Sequence, residues 1–214
     1  MTKPMRVVGL GGSLRAGSTS YTALQVALEG AAATGADVRL IWVRDLGLPL
    51  YTPEHATPAG AHEFADTVYQ SDAMIWSSPT YHGSVSGSFK NALDWLVLLA
   101  ERTPAYLSNK PVGLVCTAGG VQGLQAVNSM DFIARALRGW SVPLVLPVAQ
   151  SARSFDPDGH LTDEGVAGQL RNLGAEVVRA ARQFQAEGTC DYADDRQFPA
   201  GGRVIQPSAS KPGP

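Results

Sequence analysis

The chain is short of charge, cysteine and histidine, and each shortage closes off a class of function. Charged residues make up 17% of its 214 positions, and the formal net charge is −2. No lysine- or arginine-rich run supplies the electrostatic footprint of nucleic-acid binding. No apolar stretch approaches the roughly 20 residues of a membrane span, and the first residues lack a basic-then-apolar signal region, so no membrane role is expected. Only Cys116 and Cys190 occur, far apart. Such a pair suits a reducing cytoplasm and not a disulfide scaffold. His55, His62, His82 and His160 match no metal-ligand spacing, and no metal site is expected.

What the chain does have is a concentrated loop. Residues 9–20 read Gly-Leu-Gly-Gly-Ser-Leu-Arg-Ala-Gly-Ser-Thr-Ser, directly after the apolar run Met5-Arg6-Val7-Val8. A buried-strand pattern running into glycines, hydroxyls and one arginine at a helix start is how a chain builds an anion site. Gly12 to Thr19 fits the nucleoside-triphosphatase frame G-x-x-x-x-G-K-[ST], except that Ser18 stands where the lysine must be. Gly9 and Gly11 begin a dinucleotide fingerprint, but Leu14 occupies its third glycine. The second strand also ends in Trp42-Val43-Arg44, with no ribose-binding acid. A terminal monophosphate of the flavin mononucleotide (FMN) kind needs neither lysine nor magnesium. Ser13, Arg15, Ser18, Thr19 and Ser20 supply the dense donor set it does need. Simple helix capping would explain one hydroxyl and leave Arg15 and the rest unexplained.

Strand-like runs at about 6–10, 38–43, 72–78, 111–117 and 142–148 alternate with helical segments at about 19–34, 58–70, 86–101, 121–138 and 162–185. Alternation with short loops implies an α/β fold with parallel strands, right-handed crossovers and helices on both faces. The expected form is a flavodoxin-like, doubly wound, five-stranded sheet of order 2-1-3-4-5, with its crevice beside strands 1 and 3 at their carboxyl ends. The domain is expected to span 1–186. The segment 187–214, rich in Gly, Pro, Asp and Ser, reads as a loosely ordered tail.

Two further loops leave strands that would adjoin the first. One carries Pro79, Thr80, Tyr81, His82 and Gly83, whose backbone can lie against a planar ring while aromatic side chains stack. The other carries Thr117, Gly119 and Gly120, where glycines permit close backbone approach. Either could be a mere turn. Three ligand-suited loops at neighbouring strand ends are harder to explain as packing.

In order, Gly12-Ser13-Leu14-Arg15 with Ser18, Pro79-x-Tyr81, Gly87-x-x-Lys90-Asn91-Ala92-Leu93-Asp94-Trp95 and Gly119-Gly120 resemble the NADPH-dependent FMN reductases of flavodoxin-like fold. That group includes chromate, quinone and azo-dye reductases and the flavin reductases of two-component monooxygenases. The resemblance covers about residues 5–185. It implies that Ser13, Arg15, Ser18 and Ser20 hold the FMN phosphate. Pro79, Thr80, Tyr81, His82 and Gly83 would then line the ring and ribityl side, with Thr117, Gly119 and Gly120 at the opposite edge. Ser20, His82 and Thr80 depart from the family's frequent asparagine, asparagine and glutamate, which touches substrate preference more than the phosphate site.

The resemblance further implies hydride transfer from NADPH or NADH to FMN and on to a small acceptor such as a quinone or azo compound. The chemistry belongs to the cofactor, so no catalytic acid or base is assigned, and His82 is the one candidate proton donor near neutral pH. An NADPH 2′-phosphate would need a cation, for which Arg44, Arg102 and Arg153 are candidates. The 86–101 helix, with Trp95 and Leu98-Leu99 outside, is expected to form a homodimer or homotetramer interface. One alternative is release of reduced FMN to a monooxygenase partner. Another is a flavodoxin-type electron carrier, against which the small net charge argues.

Overall fold

The computed structural model describes residues 3–54 and 56–187. His55, Cys190 and the tail from 188 onward lie outside the described residues. Strands β1 (Arg6–Gly11), β2 (Asp37–Trp42), β3 (Ala73–Tyr81), β4 (Ser84–Val85), β5 (Pro111–Thr117) and β6 (Trp140–Val148) alternate with helices. These are α1 (Thr19–Ala32), α2 (Ala59–Gln70), α3 (Gly87–Asp94), α4 (Gly123–Ala136) and α5 (Glu164–Glu187). The parallel sheet runs β2-β1-β3-β5-β6, which is the expected order once the two-residue β4, antiparallel to the end of β3, is set aside.

Burial follows strand position. Every residue of β5 is buried, and so are the first six of β3, as continuous apolar runs covered on both faces must be. Edge strand β2 instead alternates between exposed and half-buried positions along most of its length. One core lies under α1 and α5, around Val7, Leu24, Ile75, Val115, Leu173 and Val177. The other lies under α2, α3 and α4, around Leu10, Phe64, Trp76, Phe89, Leu114 and Met130.

The expected helix over 86–101 is in fact two windings. After Asp94 the α-helix tightens into a 3-10 turn, Trp95–Leu99. Leu93, Leu96 and Leu99 are all buried, and their steps of three residues line up on a helix of three residues per turn. The apolar exterior expected of this segment is reduced, with Leu98 half-buried against the core and Trp95 and Leu99 turned inward. Trp95 and Leu99 are each 1% exposed, and of the large apolar residues here only Val97, at 40%, faces out.

Helices α1 and α5 touch backbone to backbone. A side chain at Gly30 would bring its Cβ within 2.1 Å of the Arg171 carbonyl oxygen, and one at Gly174 would lie 1.9 Å from the Ala27 carbonyl oxygen. Alanine normally gains about 1 kcal/mol over glycine inside a helix. Here overpacking, at about 1–3 kcal/mol or more, should outweigh that gain. Gly174→Ala should therefore lower unfolding stability by about 2 kcal/mol in a urea titration; an unchanged or raised midpoint would show that the helices can separate freely.

Candidate functional site

The first loop begins where β1 ends. The Gly12 amide donates to the Ser77 carbonyl (2.8 Å), carrying the β1–β3 register one residue past the strand. Gly12 has to be glycine, since a Cβ there would fall 2.7 Å from the Phe89 Cβ. Its carbonyl oxygen accepts from the hydroxyls of Ser86 and Ser88, so α3 is fastened to the loop by its own N-terminus. Ser86 also caps α3, accepting from the Phe89 amide (3.1 Å), while its own amide donates to Ser78 Oγ (3.0 Å).

The loop then closes on α1. Ser13 is buried, its Oγ accepts from the Arg15 amide (3.1 Å), and its carbonyl accepts from the Trp42 indole. Gly17 adopts a left-handed turn with φ +64°. Ser18 is the N-cap residue of α1, yet its hydroxyl makes no cap bond to the helix. It pairs instead with Ser20 Oγ at 2.8 Å. Thr19 Oγ1 donates to Thr117 Oγ1 (3.1 Å), tying the first loop to the end of β5. No acid stands in the first turn of α1, so the positive end of the helix dipole is uncancelled there. Arg15 is exposed, its guanidinium making one long contact to the Gly17 carbonyl (3.4 Å). The arrangement suits a bound dianion. Ser20 is fully buried and receives the Ser77 hydroxyl on its carbonyl (2.7 Å), so it supports Ser18 from behind.

The second segment is more ordered than an open loop. Thr80 pairs with Val85 and Tyr81 with Ser84, leaving His82 (φ 50°) and Gly83 (φ 82°) as the two central residues. Positive φ at both positions makes a tight two-residue hairpin turn of the primed type. The backbone of Thr80 and Tyr81 is committed to this pairing, and Tyr81 and His82 stand exposed at the tip. Pro79 and Thr80 are half-buried, and Thr80 Oγ1 meets Cys116 Sγ at 2.6 Å. Burial pushes the Cys116 thiol up to about 11, against a smaller opposing effect of the Thr80 hydrogen bond.

The third loop is held by the chain that follows β6. Ala118 donates to Val148 (2.9 Å), Gln150 to Gly120 (2.8 Å) and Ser151 to Ala118 (2.8 Å), all through the backbone. Thr117 is buried, whereas Gly119 and Gly120 are exposed with open space where side chains would be. The fold thus brings all three loops to one edge, with a direct hydroxyl bond between the first and third.

The candidate cations separate by place. Arg102 pairs with Asp66 (2.6 Å) and lies over Tyr69, beside the chain that enters β3, at the amino edge of the sheet. That removes it from any site at the carboxyl edge. Arg44, past the end of β2, and Arg153, hydrogen-bonded to Gln150 (2.9 Å) beyond β6, both stay on that edge. Asn91 and Trp95 turn out to staple the loop after β2. Asn91 accepts from the Tyr51 amide (2.8 Å) and donates to the Pro49 carbonyl (2.9 Å), and the Trp95 indole donates to the same carbonyl (3.1 Å). Asp156, Asp158 and His160 gather on the surface, where Asp156 accepts from the amide and contacts the ring of His160. This local turn is not evident from sequence spacing. Ser78, Ser86 and Trp42 are contributors that the motifs do not mark; the serine-rich run 84–88 is the signal for Ser86, and the Ser77-Ser78 pair for Ser78.

The sequence profile described as NADPH-dependent FMN reductase matches residues 5–153. The chain is 28% identical over 205 residues to an NADPH-dependent FMN reductase of Shigella flexneri, covering 94% of this chain and 78% of that one. It is 28% identical over 179 residues to an NADPH:quinone oxidoreductase of Arabidopsis thaliana, covering 80% and 89%. In structure it resembles the flavoenzyme NAD(P)H:(acceptor) oxidoreductase of Paracoccus denitrificans, with TM-score 0.68 and 22% identity, over 84% of this chain and 98% of that one.

Two outcomes follow from the geometry. Ser86→Ala removes both the α3 cap and a bond to Gly12, and should cost about 1–3 kcal/mol in urea unfolding; a loss under about 0.3 kcal/mol would mean the junction is not held this way. In a Cys190→Ser background, Cys116 should resist alkylation at pH 8, because its raised pKa leaves almost no thiolate and burial blocks access. Rapid labelling of the folded protein would contradict that placement.

Proposed function

Because the chain belongs to the NADPH-dependent FMN reductase family, we propose that its three loops hold FMN at the carboxyl edge of the sheet. The chain is an NAD(P)H-dependent FMN oxidoreductase. The observation that carries the siting is the start of α1, where a helix end with no side-chain cap and no acid in its first turn meets Ser13, Ser18, Thr19 and the exposed guanidinium of Arg15. These groups fit a phosphate monoester. Gly119 and Gly120, open and exposed, fit a planar ring approaching backbone.

Bound FMN would supply two-electron hydride chemistry between the reduced nicotinamide and an acceptor. The residues of this chain bind and orient. Arg15 and Ser18 fix the phosphate end, Thr117 keeps the first and third loops in register through Thr19, and the hairpin sets Tyr81 and His82 at one border. Leu14, Tyr81, Val121 and Leu124, between 52% and 73% exposed, stand in or beside the three loops. An apolar, partly aromatic rim suits a small planar acceptor, a quinone or azo compound. Self-association through residues 86–101 rests on Val97 and on Leu50, which sits in the loop stapled by Asn91, since Trp95 and Leu99 point inward. A buried free thiol at Cys116 accords with a cytoplasmic setting. No described helix is long and apolar enough to cross a membrane.

Initial rates with NADPH and a water-soluble quinone should give parallel double-reciprocal lines, since donor and acceptor use one place in turn. Saturation by added FMN, with intersecting lines, would instead make FMN a dissociable substrate that a partner monooxygenase could receive. Arg15→Ala should weaken FMN binding by about 10- to 100-fold, the loss of a charge-assisted contact. Unchanged affinity in equilibrium dialysis would remove the phosphate from this loop.

A further inference from the structure

Trp42 is the last residue of β2 and pairs in register with Gly11. It belongs to none of the three loops, yet its indole N–H donates to the carbonyl oxygen of Ser13. The ring is itself fixed. It stacks on Tyr21 in the first turn of α1, with centroids 4.6 Å apart and planes tilted by 32°, and the Arg44 guanidinium lies 5.0 Å from its centroid. In a trans peptide the C=O and the following N–H point in opposite directions. With the Ser13 carbonyl committed to the indole, the Leu14 amide is turned away from β2. The next amide, that of Arg15, is taken by Ser13 Oγ.

A carbonyl oxygen turned toward a phosphate would repel it, and an amide turned toward it attracts. From this geometry we infer that Trp42 is a positioning residue for the flavin phosphate. It holds the Ser13–Leu14 peptide in the orientation that keeps the loop's carbonyl out of the anion site, and so sets the preference for FMN over riboflavin. The inference rests on the phosphate lying in the first loop. Trp42 also lines a cavity of about 250 Å³ with Arg39, Asp45, Leu46 and Phe64. Truncation to alanine would enlarge that cavity, whereas phenylalanine keeps a ring for Tyr21 and removes only the indole N–H.

The test is flavin affinity for FMN and for riboflavin, by fluorescence titration, in the wild-type protein, Trp42→Phe and Arg15→Ala, with thermal unfolding alongside. Trp42→Phe should weaken FMN by about three- to ten-fold, the range a single lost hydrogen bond supplies, and leave riboflavin within two-fold. The ³¹P resonance of bound FMN should also shift. Equal weakening of both flavins, with a lowered melting temperature, would make Trp42 a packing residue and overturn the inference. FMN loss in Arg15→Ala but none in Trp42→Phe would overturn it while leaving the phosphate site standing. If neither variant distinguishes the two flavins, the phosphate does not occupy this loop and both readings fall.

Discussion

The hydroxyls of Ser86 and Ser88 reach the carbonyl oxygen of Gly12 while Phe89 fills the space that a side chain at Gly12 would need. Through that junction the first loop, the hairpin and α3 become one body. Ser86 is linked to Ser78 at the end of β3, and Ser77 is linked to both Gly12 and Ser20. Thr19 then joins the assembly to β5 through Thr117. A loop of glycines and serines has little apolar surface of its own to hold it. Here its shape is imposed by hydrogen bonds from rigid neighbours, which is how a binding site is organised before its ligand arrives.

The sheet supplies the rigidity. The first six residues of β3 and all of β5 are buried, and the backbone contact of α1 with α5 locks the helix whose N-terminus faces the candidate site. The first turn of α1 carries no acid, and Ser18 spends its hydroxyl on Ser20 and not on the helix amides. That helix end is left as an open, positive terminus with no side-chain cap. The same edge is bordered by exposed Leu14, Tyr81, Val121 and Leu124. Charge complementarity for a phosphate and apolar contact for a planar molecule thus lie side by side.

Much of this is legible in the sequence because it depends on local pattern. Continuous apolar runs mark β3 and β5, the run Gly9–Ser20 marks the strand-to-helix turn, and alternation with helices points to a parallel, doubly wound sheet. What is not legible depends on partners distant in the chain. The hairpin at His82-Gly83 has no Asn-Gly or Asp-Gly signal, and its turn is visible only once His82 is seen at positive φ. The 3-10 winding of Trp95–Leu99 follows from how Leu93, Leu96 and Leu99 meet the core. Trp95 reads as part of an outer helix face and Asn91 only as one residue of a motif, whereas both grip the loop after β2 from some forty residues away. Trp42 looks like the end of an edge strand, and its bond to Ser13 crosses two elements.

That this chain holds FMN and reduces it with a pyridine nucleotide is tested most directly by the visible absorbance spectrum of the protein reconstituted with FMN and freed of excess flavin, before and after anaerobic addition of NADPH. A retained flavin band should bleach on addition. A protein that retains no flavin, and that oxidises no NADPH or NADH when FMN is supplied, would contradict that reading.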